Sequence, residues 1–240
     1  DEVIIFTPAY DCYEPTIELN GGRPVFVQLK SPDFKINWEE VKKLISQRTK
    51  MIIINTPHNP TGTTLEEHDL KELEKITKDS EIIILSDEVY EHIIFDDRPH
   101  QSICKYPELA SRSIAVFSFG KTFHVTGWKM GYCVGPENLM HEFRKVHQFN
   151  VFSCNHPLQL ALSEYLSNEE HYLKLGYFYQ QKRDYFSDIV QASRFSMTPS
   201  SGTYFQLLNF SKISEEPDVD MAKRLIEEYK LASIPISVFY

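Results

Sequence analysis

Met51-Ile52-Ile53-Ile54, the polar stretch from Leu65 to Lys78, and Ile82-Ile83-Ile84-Leu85 together decide the fold. A run of four apolar residues has no polar face, so a strand built from it is covered on both sides. The stretch between the two runs is patterned as a helix. The same alternation extends outward in both directions. Apolar runs recur at Val3 to Phe6, Val25 to Gln28, Ile114 to Phe117 and Met130 to Val134, with helix-patterned segments at Trp38 to Ser46 and Glu137 to Phe149. This predicts an α/β fold whose mostly parallel sheet is sandwiched by helices. Ligands of such sheets bind at the carboxyl ends of the strands, so the polar residues just past each run are the first candidates for chemistry.

After about residue 170 the pattern changes. His171 to Ala192 reads as one long aromatic-rich helix, Ser196 to Phe210 as a hairpin around Ser200-Ser201-Gly202, and Val219 to Tyr229 as a further helix. Residues 1–170 are therefore read as a large domain. Residues 171–240 are read as an interdomain helix and part of a small α+β domain. The chain starts and stops inside strand-like runs and is read as a piece of a longer polypeptide.

The 240 residues carry a formal charge of −9, which disfavours a phosphate-backbone partner such as a nucleic acid. No apolar run approaches the roughly 20 residues of a membrane helix. The four scattered cysteines contain no CxxC pair and read as buried free thiols of a cytoplasmic protein. The nine histidines show no HxxxH or HExxH spacing, so no metal site is predicted.

Four strand-end motifs carry chemistry. In Asn55-Thr56-Pro57-His58-Asn59-Pro60-Thr61-Gly62, Asn59 offers donor and acceptor groups on a rigid turn, although the same residue suits turn geometry alone. In Ser86-Asp87-Glu88-Val89-Tyr90, Asp87 emerges from a buried strand, where a carboxylate needs a cation or a protonated ring nitrogen. It would also serve as a helix cap. Tyr90 reaches the same pocket if a helical turn begins there. In Ser118-Phe119-Gly120-Lys121-Thr122, Lys121 stands where an apolar strand enters a turn. A confined amine there can attack a carbonyl and form a Schiff base. The fourth motif, Thr126-Gly127-Trp128-Lys129-Met130-Gly131-Tyr132, places Lys129 either at an anionic group or in solvent. Gly120-Lys121-Thr122 is not a Walker loop, since the required upstream glycine is Ala115. Ser118-x-x-Lys121 is followed by no SDN or KTG triplet, which removes a β-lactamase reading. A Schiff-base lysine, a carboxylate for a pyridinium nitrogen, a Tyr and an Asn for a ring oxygen, and Ser and Lys for a phosphate describe a pyridoxal 5'-phosphate site.

These motifs, in this order, resemble the class I pyridoxal-phosphate-dependent aminotransferases of fold type I. The resemblance is closest to the methionine and kynurenine aminotransferase branch. It runs through Tyr13-Glu14-Pro15, Gly21-Gly22-Arg23-Pro24, Val146-His147-Gln148, Gly202-Thr203-Tyr204-Phe205 and Ile234 to Tyr240. By position it implies that Lys121 forms the Schiff base and shuttles a proton, and that Asp87 pairs with the ring nitrogen. Asn59 and Tyr90 would bond the ring oxygen, Tyr10 would stack on the ring, and Ser118 and Lys129 would bind the phosphate. It further implies a seven-stranded sheet, a homodimer, and a carboxylate-binding arginine placed after Tyr240. The expected activity is transamination of a methionine-like, aromatic or kynurenine-like L-amino acid with a 2-oxo acid. A cysteine-conjugate β-lyase and a catalytically silent pyridoxal-phosphate-binding domain are the alternatives.

Overall fold

A computed structural model describes residues 1–240. One sheet contains β1 (Glu2–Thr7), β2 (Arg23–Gln28), β3 (Thr49–Asn55), β4 (Ile83–Asp87), β5 (Ser113–Ser118) and β6 (Gly131–Val134). Its spatial order is β2-β1-β3-β4-β5-β6. The pairings from β2 through β5 are parallel, and β6 runs antiparallel to β5. The α/β reading with a mostly parallel sheet therefore holds, but these residues form six strands where the resemblance implies seven. Ten α-helical segments accompany the sheet: α1 (Tyr13–Leu19), α2 (Trp38–Leu44), α3 (Glu67–Thr77), α4 (Pro107–Ala110), α5 (Phe119–Thr122), α6 (Glu137–Asn150), α7 (His156–Leu166), α8 (Glu170–Leu173), α9 (Leu175–Gln191) and α10 (Asp218–Tyr229). None is long and apolar enough to cross a membrane.

The central runs of β1 and β3 are buried on both faces, as their composition requires, whereas the edge strands β2 and β6 leave Phe26, Tyr132 and Val134 exposed. Ile4, Phe6, Ile52, Ile54 and Ile84 point into a cluster with Trp38 and Val41 of α2 and Leu70 and Leu73 of α3. The alternate residues Ile5 and Ile53 pack the other face, against Ile17 of α1. Each such aliphatic side chain stabilises the fold by about 1.5–3 kcal/mol on transfer from water. α3 begins two residues later than the periodicity predicts because Glu66 and Asp69 form a capping box there. Asp69 also accepts the Trp38 indole N–H at 2.9 Å, tying α3 to α2.

Two expectations for the carboxy-terminal part fail for identifiable reasons. The single helix from His171 to Ala192 is broken at Lys174 into α8 and α9. Leu175 enters a small cluster with Tyr90, Ile93 and Phe95, and a Cβ on Gly176 would lie 2.8 Å from the Ile94 carbonyl. The start of α9 thus packs directly on the backbone after β4. The hairpin of residues 196–210 is reduced to one bridge, Ser196 with Asn209. Its tip instead bonds the rest of the molecule: the Ser201 and Gly202 amides donate to the Gly62 carbonyl, and the Thr203 amide donates to Ile93. The cysteines are free, as read, but not buried. Cys12 and Cys104 are exposed and Cys133 and Cys154 half-buried.

Candidate active site

Three adjacent strands end in the polar residues that the sequence singles out. Asn55 closes β3, Asp87 closes β4 and Ser118 closes β5, and the register sets Asn55 directly beside Asp87. The Asn55 amide donates to the Asp87 carbonyl at 2.9 Å and the Thr56 N–H donates to it at 3.0 Å. The backbone of Asp87 is therefore held from the β3 side. Its side chain accepts the Tyr13 hydroxyl at 2.5 Å and the Val89 amide at 3.3 Å. Burial pushes the Asp87 carboxyl above the usual carboxylate range, against the pull of Tyr13, the Val89 amide and the Lys121 charge. No cation forms an ion pair with it.

The turn after β3 is fixed by its own polar groups. Asn55 Oδ1 accepts the Asn59 amide at 2.7 Å, and His58 Nδ1 lies 2.8 Å from Thr61 Oγ1. Burial holds His58 down to about 4, so it is neutral. Gly62 closes the turn at φ +72, and a Cβ there would lie 2.5 Å from the Ser200 Cβ. Only glycine provides both that backbone angle and that close approach. One end of the Asn59 side-chain amide, Oδ1, is buried without a hydrogen-bond partner.

Lys121 lies in the one-turn α5, which follows β5 directly. Aromatic contacts seat this turn: Phe119 against Tyr132 and Phe123 against Tyr165, each with centroids 5.1 Å apart. The Lys121 amine donates to the Tyr204 hydroxyl at 3.1 Å and stands 5.5 Å from the centre of the Tyr90 ring. Tyr90 is 2% exposed, and its hydroxyl donates to Tyr204 at 3.4 Å. Tyr10 packs edge-on against Tyr13 at 5.8 Å, with much of its ring open to solvent. The Val125 amide donates to the Gly120 carbonyl at 3.0 Å, bringing the next turn beside the lysine. That turn ends at Lys129, which has a left-handed φ of 54 and an exposed ammonium without an ion-pair partner.

The structure thus gathers Lys121, Asp87, Tyr90, Asn59 and Ser118 around three strand ends. Tyr10 meets them through Tyr13, and Lys129 through the turn at Val125. Two contact residues received no role from the sequence, Tyr13 and Tyr204. Both stand in quoted motifs, but a single sequence holds no signal that Tyr13 would meet Asp87 or that Tyr204 would meet Lys121.

The family model described as aminotransferase class I and II matches residues 1–240. The chain belongs to that family. It is 47% identical over 240 residues to the methionine aminotransferase of Escherichia coli (strain K12), covering 100% of this chain and 62% of that relative. It is 32% identical over 270 residues to kynurenine–oxoglutarate transaminase 1 of Rattus norvegicus, covering 100% of this chain and 64% of that one. A solved Escherichia coli structure, described as having a methionine aminotransferase function, superposes with a TM-score of 0.98. It shares 46% identity with this chain, with coverage of 100% of this chain and 64% of that one. The chain therefore spans just under two thirds of the relatives it matches.

An aminotransferase of this family and fold implies pyridoxal phosphate, and the residues present fit it on two observations. One end of the Asn59 side-chain amide is buried without a partner, and with its oxygen and nitrogen exchanged that end presents an N–H donor to a ring oxygen. Asp87 is a half-buried carboxylate at a strand end, raised by desolvation, whose neighbours donate only neutral hydrogen bonds. A protonated ring nitrogen would supply the missing positive charge.

Proposed function

We propose that the full-length protein carrying this chain is a pyridoxal-phosphate-dependent transaminase. It would pass the amino group of a methionine-like, aromatic or kynurenine-like L-amino acid to a 2-oxo acid. The observation that carries the reading is the convergence of Asp87, at the end of β4, and Lys121, in the turn directly after the neighbouring β5, with the Lys121 amine 5.5 Å from the ring of Tyr90, three residues past Asp87. When bound, pyridoxal phosphate supplies an aldehyde and an electron sink that lets the substrate Cα–H bond break. In this reading Lys121 captures the aldehyde and carries the proton taken from Cα. Asp87 keeps a proton on the ring nitrogen. Asn59 and Tyr90 bond the ring oxygen. Tyr10 covers one ring face and excludes water from it. Ser118 and Lys129 hold the phosphate, one by hydrogen bonding and one by charge.

The same proposal includes a cytoplasmic homodimer, with residues 1–170 in a large domain and residues 171–240 leading into a small one. The relatives are transaminases by name, which favours transamination over cysteine-conjugate β-elimination or a silent binding domain. The test mixes the full-length protein, loaded with pyridoxal phosphate, with methionine and then with a 2-oxo acid. The absorbance of the bound cofactor should shift with the first and return with the second, and Lys121→Ala should show neither change. Absence of any shift with methionine, phenylalanine and kynurenine overturns the reading. Pyruvate release from a cysteine conjugate without an oxo acid, with no such shift, favours the lyase.

A further inference from the structure

The hydroxyl touching the Lys121 amine belongs to a residue 83 positions further along the chain. Tyr204 accepts hydrogen bonds from Lys121 at 3.1 Å and from Tyr90 at 3.4 Å. The two donors come from separate elements, α5 and the turn after β4. Its ring is held as well, edge-on to Tyr90 at 5.3 Å and against Phe205 at 4.9 Å. A lysine amine at the end of four rotatable carbons has many other places to point, and this phenol is the hydrogen-bond partner it has inside the site.

The backbone around Tyr204 is strained toward the same end. The preceding residue, Thr203, is β-branched, fully buried and at φ 64. A β-branched side chain avoids the left-handed region, and such strain persists only where neighbours over-determine it. Here they do. The Thr203 amide donates to the Ile93 carbonyl at 2.9 Å, and its Oγ1 accepts the Phe205 amide at 3.1 Å. Gly62, itself at positive φ, accepts the Ser201 and Gly202 amides. The tip that carries Tyr204 is thereby locked to the turn that carries Asn59.

We propose that Tyr204 is a positioning residue for Lys121, holding the free amine in the site whenever the nitrogen is not covalently engaged. This rests on the reading of Lys121 as the aldehyde-capturing lysine. In capture the amine nitrogen bonds to the aldehyde carbon, gives up both of its protons, and the carbonyl oxygen leaves as water. An amine kept in place reaches that carbon more often than one free to swing away.

Tyr204→Phe removes the hydroxyl and keeps the ring. The cofactor-free full-length protein is mixed with pyridoxal phosphate and cyanoborohydride, and the reduced adduct is located by peptide mass spectrometry and followed in time. The wild type should be tagged on Lys121, and Tyr204→Phe should be tagged there about tenfold more slowly, the worth of one hydrogen bond to a charged group. In turnover with methionine, kcat should fall by a similar factor with KM changed less than about twofold. Failure of the wild type to tag on Lys121 overturns the lysine reading and this inference with it. A wild type tagged on Lys121 with Tyr204→Phe equally fast overturns the inference alone. A raised KM with intact kcat also overturns it, since Tyr204 would then be a substrate contact.

Discussion

Asp87 and Lys129 are proposed to hold opposite charges on one cofactor, yet the molecule treats them in opposite ways. Asp87 is half-buried at a strand end, with both its carbonyl and its carboxylate bonded by neighbours from β3, α1 and its own turn. Lys129 ends a short turn in solvent, and its ammonium bonds nothing. The difference follows from desolvation. A charge taken out of water is tolerable only if fixed dipoles and partners are already in place, so the scaffold around it must be rigid. A charge left in water needs no such preparation and acts at a distance, weakened by salt.

The sharpest way to break this contrast is Asp87→Asn. An amide cannot balance a protonated ring nitrogen in a water-poor site, so the rate of the methionine half-reaction should fall roughly 10²–10³-fold. Stability of the cofactor-free protein should move the other way. Burial raises the Asp87 carboxyl above its unfolded value, so its favourable contribution is complete only in acid and is lost as pH rises through the folded value. At neutral pH the carboxylate is a burden, and Asn should raise the melting temperature by about 2–4 °C. That gain should vanish below about pH 4. Thermal melts of both proteins across this range check it, and a less stable Asn variant at pH 7 would mean that Asp87 is not strained.

His58 tests the same rigid half by a smaller effect. It is buried in the turn beside Asn59 and held down to about 4, so its neutral form belongs to the fold. A lowered base contributes stability that is complete above its unfolded value near 6.5 and is lost as pH falls through about 4. The gap corresponds to about 3 kcal/mol. Urea unfolding at about pH 7, 5 and 4 should show that loss in the wild type. His58→Gln, which can still bond Thr61, should flatten it. An unchanged profile would place the acid sensitivity elsewhere.

The rigid half of the site was also the more legible half. Apolar runs such as Ile52 to Ile54 require two covered faces, and that requirement alone yields the parallel sheet and the strand ends at Asn55, Asp87 and Ser118. Legibility ended where geometry depends on residues far apart in the chain. Tyr13 meets Asp87 across 74 positions and Tyr204 meets Tyr90 across 114, and neither pairing leaves a local pattern. The break between α8 and α9 was hidden for the same reason. The helical period continues through Lys174, and only the packing of Leu175 and Gly176 on the residues after β4 shows why the helix is interrupted. The hairpin expected around Gly202 met a similar fate, because its tip found Gly62 as a partner instead of its own opposite strand.

The solvent half supplies the smallest effect and the clearest check on the contrast. Lys129→Gln keeps a side chain of similar reach at a position already in the left-handed region, so the backbone demand is unchanged. If Lys129 acts on the phosphate as an exposed charge, its loss should weaken pyridoxal phosphate binding about tenfold at low salt. The penalty should shrink as salt rises above about 0.1 M, where the screening length falls below about 10 Å. At saturating cofactor kcat should fall less than about threefold, because nothing around the lysine was organised to depend on it. Equilibrium titration of the apoprotein at several salt concentrations measures this. A penalty that stays constant with salt, or a collapse in kcat, would show that Lys129 becomes buried and bonded when the phosphate arrives. The two halves of the site would then differ only before binding, not after it.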